Sequence, residues 1–322
     1  MKDFRDIVIC GPDMSGTSTQ IRDGIKYFQN KGMGVRDIRG TEIDALFHTR
    51  KFQRGLSSAH DYFSSFGEFL DMANDCALVS TLSPRDFLWQ AYELLSGGET
   101  NQDLSVASMV ETPATTYIDP RSAEVWVMEE PSKRGAGQSN RVIEQHRSEF
   151  GMDINPVSAA MFHQGYRTSE FLRFRGPIRN VGGTILRSRS EESACYQVRD
   201  DKDLPGGISM DDYLNLPGHR IAFANAPTDI FVVCGPEDWT SESYLKLKER
   251  RGVGRSSDDH ENDPDYQVLV NNRYASDWLE NLYDKGCGLY GGVSPKIHRF
   301  SIYDSMNGIK SKMQDKLDEI VC

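Results

Sequence analysis

The sequence predicts an α/β fold with a mostly parallel central sheet flanked by helices, plus an inserted helical subdomain. Three observations predict it. Strand-like stretches recur near residues 5–10, 125–128, 183–186, 229–234 and 296–303. Helical patterns separate most of them, and strands alternating with helices imply parallel pairing covered on both faces. The interval 37–122 interrupts that alternation, which marks an insertion.

In chain order, residues 5–10 alternate and then run apolar until Gly11 ends the run. Ser18 to Asn30 reads as a helix, with Ile21, Ile25 and Phe28 on one face. Strand, glycine-bearing turn and helix in that order open a nucleotide-binding α/β sheet. The second run, Val125 to Met128, leads into Glu129, Glu130 and Pro131. Helical patterns follow at 138–149 and 156–174, and a strand at 183–186 precedes an Arg/Ser-rich segment. Asp229 to Cys234 is the next strand. A helix over 240–250, a polar stretch over 251–265 and one helix over 266–284 come after it. The strand at 296–303 and a helix from Ser305 close the chain.

Residues 37–122 contain two helical patterns, near 56–75 and 84–97, and a polar loop from Gly97 to Asp103. A structureless loop of that length is improbable inside a compact domain, so the expectation is a helical subdomain. The core is then 1–36 with 123–322. The insertion serves either as a cap or subunit contact, or in substrate recognition.

Composition narrows the function classes. Hydrophobic residues make up 38% of the chain, too many for a disordered polymer. No apolar run approaches membrane-spanning length, and the N-terminus enters a strand without the apolar stretch of a signal peptide. The cysteines, Cys10, Cys76, Cys195, Cys234, Cys287 and Cys322, show neither zinc spacing nor a disulfide framework. A cytoplasmic protein with no membrane partner is expected. The formal net charge of −11 argues against nucleic acid as a partner, because phosphate backbones demand clustered positive charge. A small nucleotide needs only a local cationic pocket.

The chemistry-bearing segment is Gly11-Pro12-Asp13-Met14-Ser15-Gly16-Thr17-Ser18. It satisfies the phosphate-loop pattern G-x-x-x-x-G-K-[ST] everywhere except the lysine, which is Thr17. Glycines at both ends let the backbone wrap around an anion, and the following helix offers its N-terminus. Gly11, Met14, Ser15, Gly16, Thr17, Ser18 and Thr19 are the expected ATP-phosphate contacts, with Ser18 on the metal. Threonine donates a neutral hydrogen bond but carries no charge, so either another cation supplies the charge or the protein binds nucleotide without fast phosphoryl transfer. Lys133, Arg134, Arg189, Arg250, Arg251 and Arg255 are the candidates.

Several segments, in order, resemble thymidylate kinase. Gly11 to Gln20 is similar to that family's phosphate loop, with Asp13 at the acid position that faces the substrate sugar. Glu130-Pro131 resembles its Arg-Glu-Pro segment, with Glu129 in place of the arginine. Pro156 to Phe162, then Tyr166-Arg167, resembles the helix carrying a base-stacking phenylalanine and a phosphate-binding arginine. Ser188-Arg189 through Tyr196-Gln197 resembles the Asp-Arg-Tyr…Ala-Tyr-Gln segment, with Ser188 in place of the aspartate that helps organise the metal. Arg250-Arg251-Gly252-Val253-Gly254-Arg255 resembles the arginine-bearing lid, placed at about 250–265. Met14 is not arginine, so the lid is the alternative arginine source. The likeness covers about 5–36 and 123–322.

The resemblance implies a P-loop kinase that uses ATP and Mg2+ and transfers phosphate to dTMP or a related pyrimidine monophosphate. It also implies a possible homodimer. Arg189, Arg250, Arg251 and Arg255 take catalytic roles. Asp13, Glu130, Phe162, Arg167, Arg189, Tyr196 and Gln197 are expected at the acceptor. Each arginine has a plainer role, Arg167 pairing with Glu170 and Arg189 with Glu191. Phe162 either stacks on a base or fills the core, and Asp13 meets the sugar, orients Arg167 or caps the loop. The acidic stretch from Asp258 to Asp265 reads as a solvated lid edge. Thr17 and Ser188 keep a second reading open, a nucleotide-binding regulatory or interaction protein without transfer chemistry. A weaker third is a P-loop kinase acting on modified bases in DNA.

Overall fold

The structure is a computed structural model; it describes residues 4–39, 120–130, 163, 167–168, 170–198, 208–216, 218–251 and 262–321. Contacts divide the chain into two compact units, 1–39 with 119–322, and 40–118. The described residues all belong to the first. The expected helical subdomain over 37–122 lies outside them except at its edges, as does the helix expected at 138–149.

The strands are β1 (Arg5–Cys10), β2 (Val35–Asp37), β3 (Val125–Glu129), β4 (Thr184–Ser188), β5 (Asp229–Cys234) and β6 (Lys296–Ser301). They form one sheet in the order β2-β3-β4-β1-β5-β6. Every pairing is parallel, with Ile7 opposite Leu186 on one side of β1 and Asp229 on the other. Parallel strands need crossovers, and helices supply them. These are α1 (Thr17–Asn30), α2 (Gly176–Asn180), α3 (Ala194–Gln197), α4 (Met210–Asn215), α5 (His219–Ala224), α6 (Ser241–Arg251), α7 (Pro264–Ala275), α8 (Trp278–Tyr290) and α9 (Met306–Val321). A π-helical turn, Phe171–Arg175, leads into α2. Among the described residues no helix is long and apolar enough to cross a membrane.

Alternation along β1 divides the core. Ile7 and Ile9 pack with Ile21 and Phe28 of α1, Tyr244 and Leu247 of α6, and Ile309, Met313 and Leu317 of α9. Val8 and Cys10 face the other layer, with Tyr213, Phe223, Val270, Tyr274, Leu282 and Tyr283. The described cysteines Cys10, Cys195, Cys234 and Cys287 are buried free thiols. They pack as small apolar groups.

Two expectations need correction, and some short elements were not legible in the sequence. Strand β2 crosses the boundary placed after residue 36; its three residues form no apolar run that would reveal it. The single helix expected over 266–284 is two, because Ser276 is extended (φ −88°, ψ −176°) and its hydroxyl accepts the Trp278 N–H at 3.4 Å, starting a new helix. Helices α4 and α5, six residues each, are too short for their periodicity to register.

Candidate functional site

The turn between β1 and α1 stands next to the strand pair β4 and β5, at the carboxyl end of the sheet, where open α/β sheets bind ligands. Its course is set by three positive φ angles: Gly11 at 154°, Met14 at 63° and Gly16 at 89°. At Gly11 only glycine fits, since a Cβ there would meet Val233 O at 2.2 Å. The Ser15 N–H donates to Pro12 O at 3.2 Å and closes the turn. Gly16 caps α1 without a side chain, and no acidic residue occupies the first helical turn. The first-turn N–H groups of a helix lack intrahelical acceptors, so this end presents donors and the positive pole of the dipole. Ser15 Oγ is buried with no partner among the described residues. An uncapped helix start above an orphaned hydroxyl suits a phosphate.

Thr17 is half-buried at the start of α1, and Ser18, the second helical residue, is exposed. Thr19 Oγ1 accepts Arg22 Nη2 at 3.0 Å. Met14 packs into the core rather than across the loop. Magnesium beside a nucleotide keeps several waters and takes few protein ligands, so the Ser18 hydroxyl is a sufficient protein donor there. The described residues contain no group of three or more His, Cys, Asp or Glu side chains that would hold a metal without nucleotide.

Asp13 and Arg189 face each other across this turn, with Arg189 Nη2 donating to Asp13 Oδ1 at 2.8 Å. The same Nη2 donates to Tyr196 OH at 3.3 Å, and the guanidinium lies 4.7 Å from the centre of the Tyr196 ring. The Tyr196 hydroxyl reaches Gly11 O at 3.4 Å. Burial opposes the charge on Arg189, but Tyr196 and Asp13 hold its pKa well above the ordinary value. The backbone of Arg189 is left-handed, φ 65°, a conformation that costs a non-glycine residue about 1–2 kcal/mol. Asp13 also binds Gln267 of α7 through its backbone N–H, at 3.2 Å, and through Oδ2, at 2.8 Å.

Three expectations are corrected here. Asp13 orients Arg189, not Arg167. Arg189 pairs with Asp13 rather than Glu191, which binds Arg175 and Arg187 instead. Arg167 is buried and pairs with Glu130, not Glu170. Its other nitrogens donate to Tyr213 OH at 3.0 Å and Ser190 O at 3.1 Å. A phosphate arriving on Arg167 must therefore displace Glu130. Tyr196, expected at the acceptor, underlies the Arg189 guanidinium. Gln197 is buried with Oε1 unpartnered among the described residues, as an amide awaiting a donor would be. Arg250 is exposed at the end of α6. Phe162, Arg255 and the Arg251 side chain lie outside the described residues, as do Lys133, Arg134 and the lid over 252–261. Asp263, assigned to the solvated lid edge, caps α7 by accepting the Tyr266 N–H at 3.0 Å.

Sequence reasoning missed the buried ion network beneath the site. Asp6 accepts Arg175 Nη2 and Arg187 Nε, each at 2.8 Å. Glu191 lies 3.3 Å from Arg175 and 3.4 Å from Arg187. Burial would raise the Glu191 pKa, yet Arg187, Arg175 and Arg167 hold it below the usual carboxylate range. Glu192 is wholly buried with neither oxygen partnered among the described residues. Burial first, then Glu130, pushes its carboxyl up to about 7. Gln267 and Asn271 were missed as well, although polar residues four apart beside Tyr266, Val270 and Tyr274 on one helix face are a readable signal.

No family model and no curated protein matches the sequence. Among solved structures, the chain is similar to the thymidylate kinase from Ehrlichia chaffeensis at 10% identity and a TM-score of 0.43, over 98% of this chain and 99% of that one.

Proposed function

We propose that this chain is a phosphotransferase of the nucleoside monophosphate kinase type, moving the ATP γ-phosphate to dTMP or a related pyrimidine monophosphate. The supporting observation is the Gly11–Thr19 turn at an uncapped helix start, with Arg189 fixed across it by Asp13 and Tyr196. Phosphoryl transfer rests on positioning and charge neutralisation, which this arrangement supplies through backbone donors and one oriented guanidinium. The donor phosphates lie on the turn, with magnesium beside Ser18. Arg189 meets the acceptor phosphate, and Gln197 offers an amide to the base. Arg250, Arg251 and Arg255 supply the charge that Thr17 lacks. The acceptor phosphate oxygen attacks the γ-phosphorus in line, and the bond to the bridging oxygen of ADP breaks.

A second reading, nucleotide binding without transfer, is favoured by one observation. Both acceptor-side arginines are neutralised by carboxylates, Arg189 by Asp13 and Arg167 by Glu130. Incubation with ATP, magnesium and a panel of nucleoside monophosphates, followed by chromatography, separates the two. Conversion of dTMP to dTDP above the enzyme-free control is the expected result. Binding of ATP or dTMP with no product from any acceptor would replace the kinase reading by the second.

A further inference from the structure

Helix α7 reaches the phosphate turn through one side chain. Gln267 is wholly buried. Its Oε1 accepts the Asp13 N–H at 3.2 Å, and its Nε2 donates to Asp13 Oδ2 at 2.8 Å. One planar amide thus engages both the backbone and the carboxylate of the same residue. The remaining carboxylate oxygen, Oδ1, is the one that takes Arg189 at 2.8 Å. The two oxygens of Asp13 are divided between the amide and the guanidinium, so the amide fixes the plane in which the arginine is met.

One turn along the same helix face, Asn271 is also wholly buried. It accepts the Gly235 N–H at 2.7 Å and donates to Pro236 O at 3.0 Å, where the chain leaves β5. The two amides fasten α7 to the turns that leave the neighbouring strands β1 and β5. Only Gln267 touches a residue of the candidate site. Packing alone does not call for glutamine here, because an apolar side chain of similar volume fills a buried position without needing hydrogen-bond partners.

We propose that Gln267 is a positioning residue: it sets the orientation of the Asp13 carboxylate, and through it the Arg189 guanidinium that receives a phosphate monoester. This rests on the phosphate-site reading above. The consequence is specific. Removing the amide leaves Asp13 able to turn and Arg189 without a fixed orientation, so phosphate binding weakens while the fold persists.

The test titrates full-length protein with dTMP by calorimetry from about pH 5 to about pH 9, with thermal denaturation in parallel. Gln267→Glu sets one carboxylate against another, and two such groups in contact ionise together only at a cost. Its dTMP affinity is expected to match wild type in acid and to fall by about tenfold or more at neutral pH, relative to wild type at the same pH. Gln267→Met removes both hydrogen bonds and should weaken dTMP by about tenfold at every pH, with no added slope. Asn271→Ala, the structural control, should lower the melting temperature and leave dTMP affinity unchanged. A Gln267→Glu profile parallel to wild type, or Gln267→Met binding as tightly as wild type, overturns the assignment while the phosphate-site reading stands. If wild type binds no dTMP, the acceptor-site reading falls and this assignment falls with it.

Discussion

Asp13 and Arg189, 176 residues apart in sequence, meet at 2.8 Å across the turn that follows β1. The pair joins the end of β1 to the end of β4, and the neighbouring positions of those strands in the sheet bring it together. Tyr196 lies against the guanidinium, and Gln267 holds the other carboxylate oxygen. An arginine held on two sides keeps its planar fork in one orientation, the geometry that meets two phosphate oxygens at once.

The left-handed backbone of Arg189, φ 65°, predicts a separation of function from stability. Arg189→Ala and Arg189→Gly both delete the guanidinium and should lose dTMP binding alike. Glycine adopts this conformation freely, so Arg189→Gly should be more stable than Arg189→Ala by about 1 kcal/mol in urea denaturation. Equal stabilities would mean that the backbone relaxes once the side chain is gone.

Thr17 occupies the phosphate-loop lysine position at the first residue of α1. Thr17→Lys adds a mobile charge where the proposed reading puts the β and γ phosphates. If charge is what limits transfer, kcat for dTMP phosphorylation should rise by about tenfold or more, while dTMP affinity stays near wild type. A fall in both would show that the turn is shaped for the threonine.

Asp6 lies on β1 facing the second layer and is wholly buried between Arg175 and Arg187. Asp6→Ala leaves both guanidinium groups in the interior without that counter-charge. A loss of about 3–5 kcal/mol is expected, the usual consequence of deleting one partner from a buried ion pair. Urea denaturation measures it, and a loss below about 1 kcal/mol would show that Glu191 alone satisfies both arginines.

Much of this was legible in the chain. Strands β1, β3, β4 and β5 were visible because a buried parallel strand carries a continuous apolar run between breakers, and the edge strand β6 through Ile297 and Phe300 set among polar residues. The phosphate turn was visible because Gly11 and Gly16 bracket a fixed spacing. What stayed hidden were partnerships. Nothing local to Asp13 says that its partner is Arg189 rather than Arg167; that follows from β1 lying beside β4. The ion network was hidden for the same reason, since Asp6, Arg175, Arg187 and Glu191 are distant or out of register in sequence. Gln267 is polar on an apolar face, which marks it as unusual but names no partner.

Two buried groups predict pH dependences of opposite sign. Glu192 has its pKa raised from 4.5 to about 7, burial being the main cause and Glu130 the next. Between those values the folded chain keeps a proton that the unfolded chain has released. Its contribution to stability is full below the unfolded value and is lost as the pH rises through about 7, by about 3 kcal/mol in all. His219, wholly buried against Tyr213 and Phe223, runs the other way. Burial, and then Arg167, lower its pKa well below 6.5, so its stability is present above that value and lost as the pH falls. Glu191, held below the usual carboxylate range mainly by Arg187 and Arg175 against its own burial, acts only in stronger acid. Between about pH 5 and about pH 7 the two slopes oppose each other in wild type. Glu192→Gln should leave a stability that rises with pH across this window, and His219→Phe one that falls. Urea denaturation at a series of pH values reads both slopes, and two variant profiles parallel to wild type would remove both assignments.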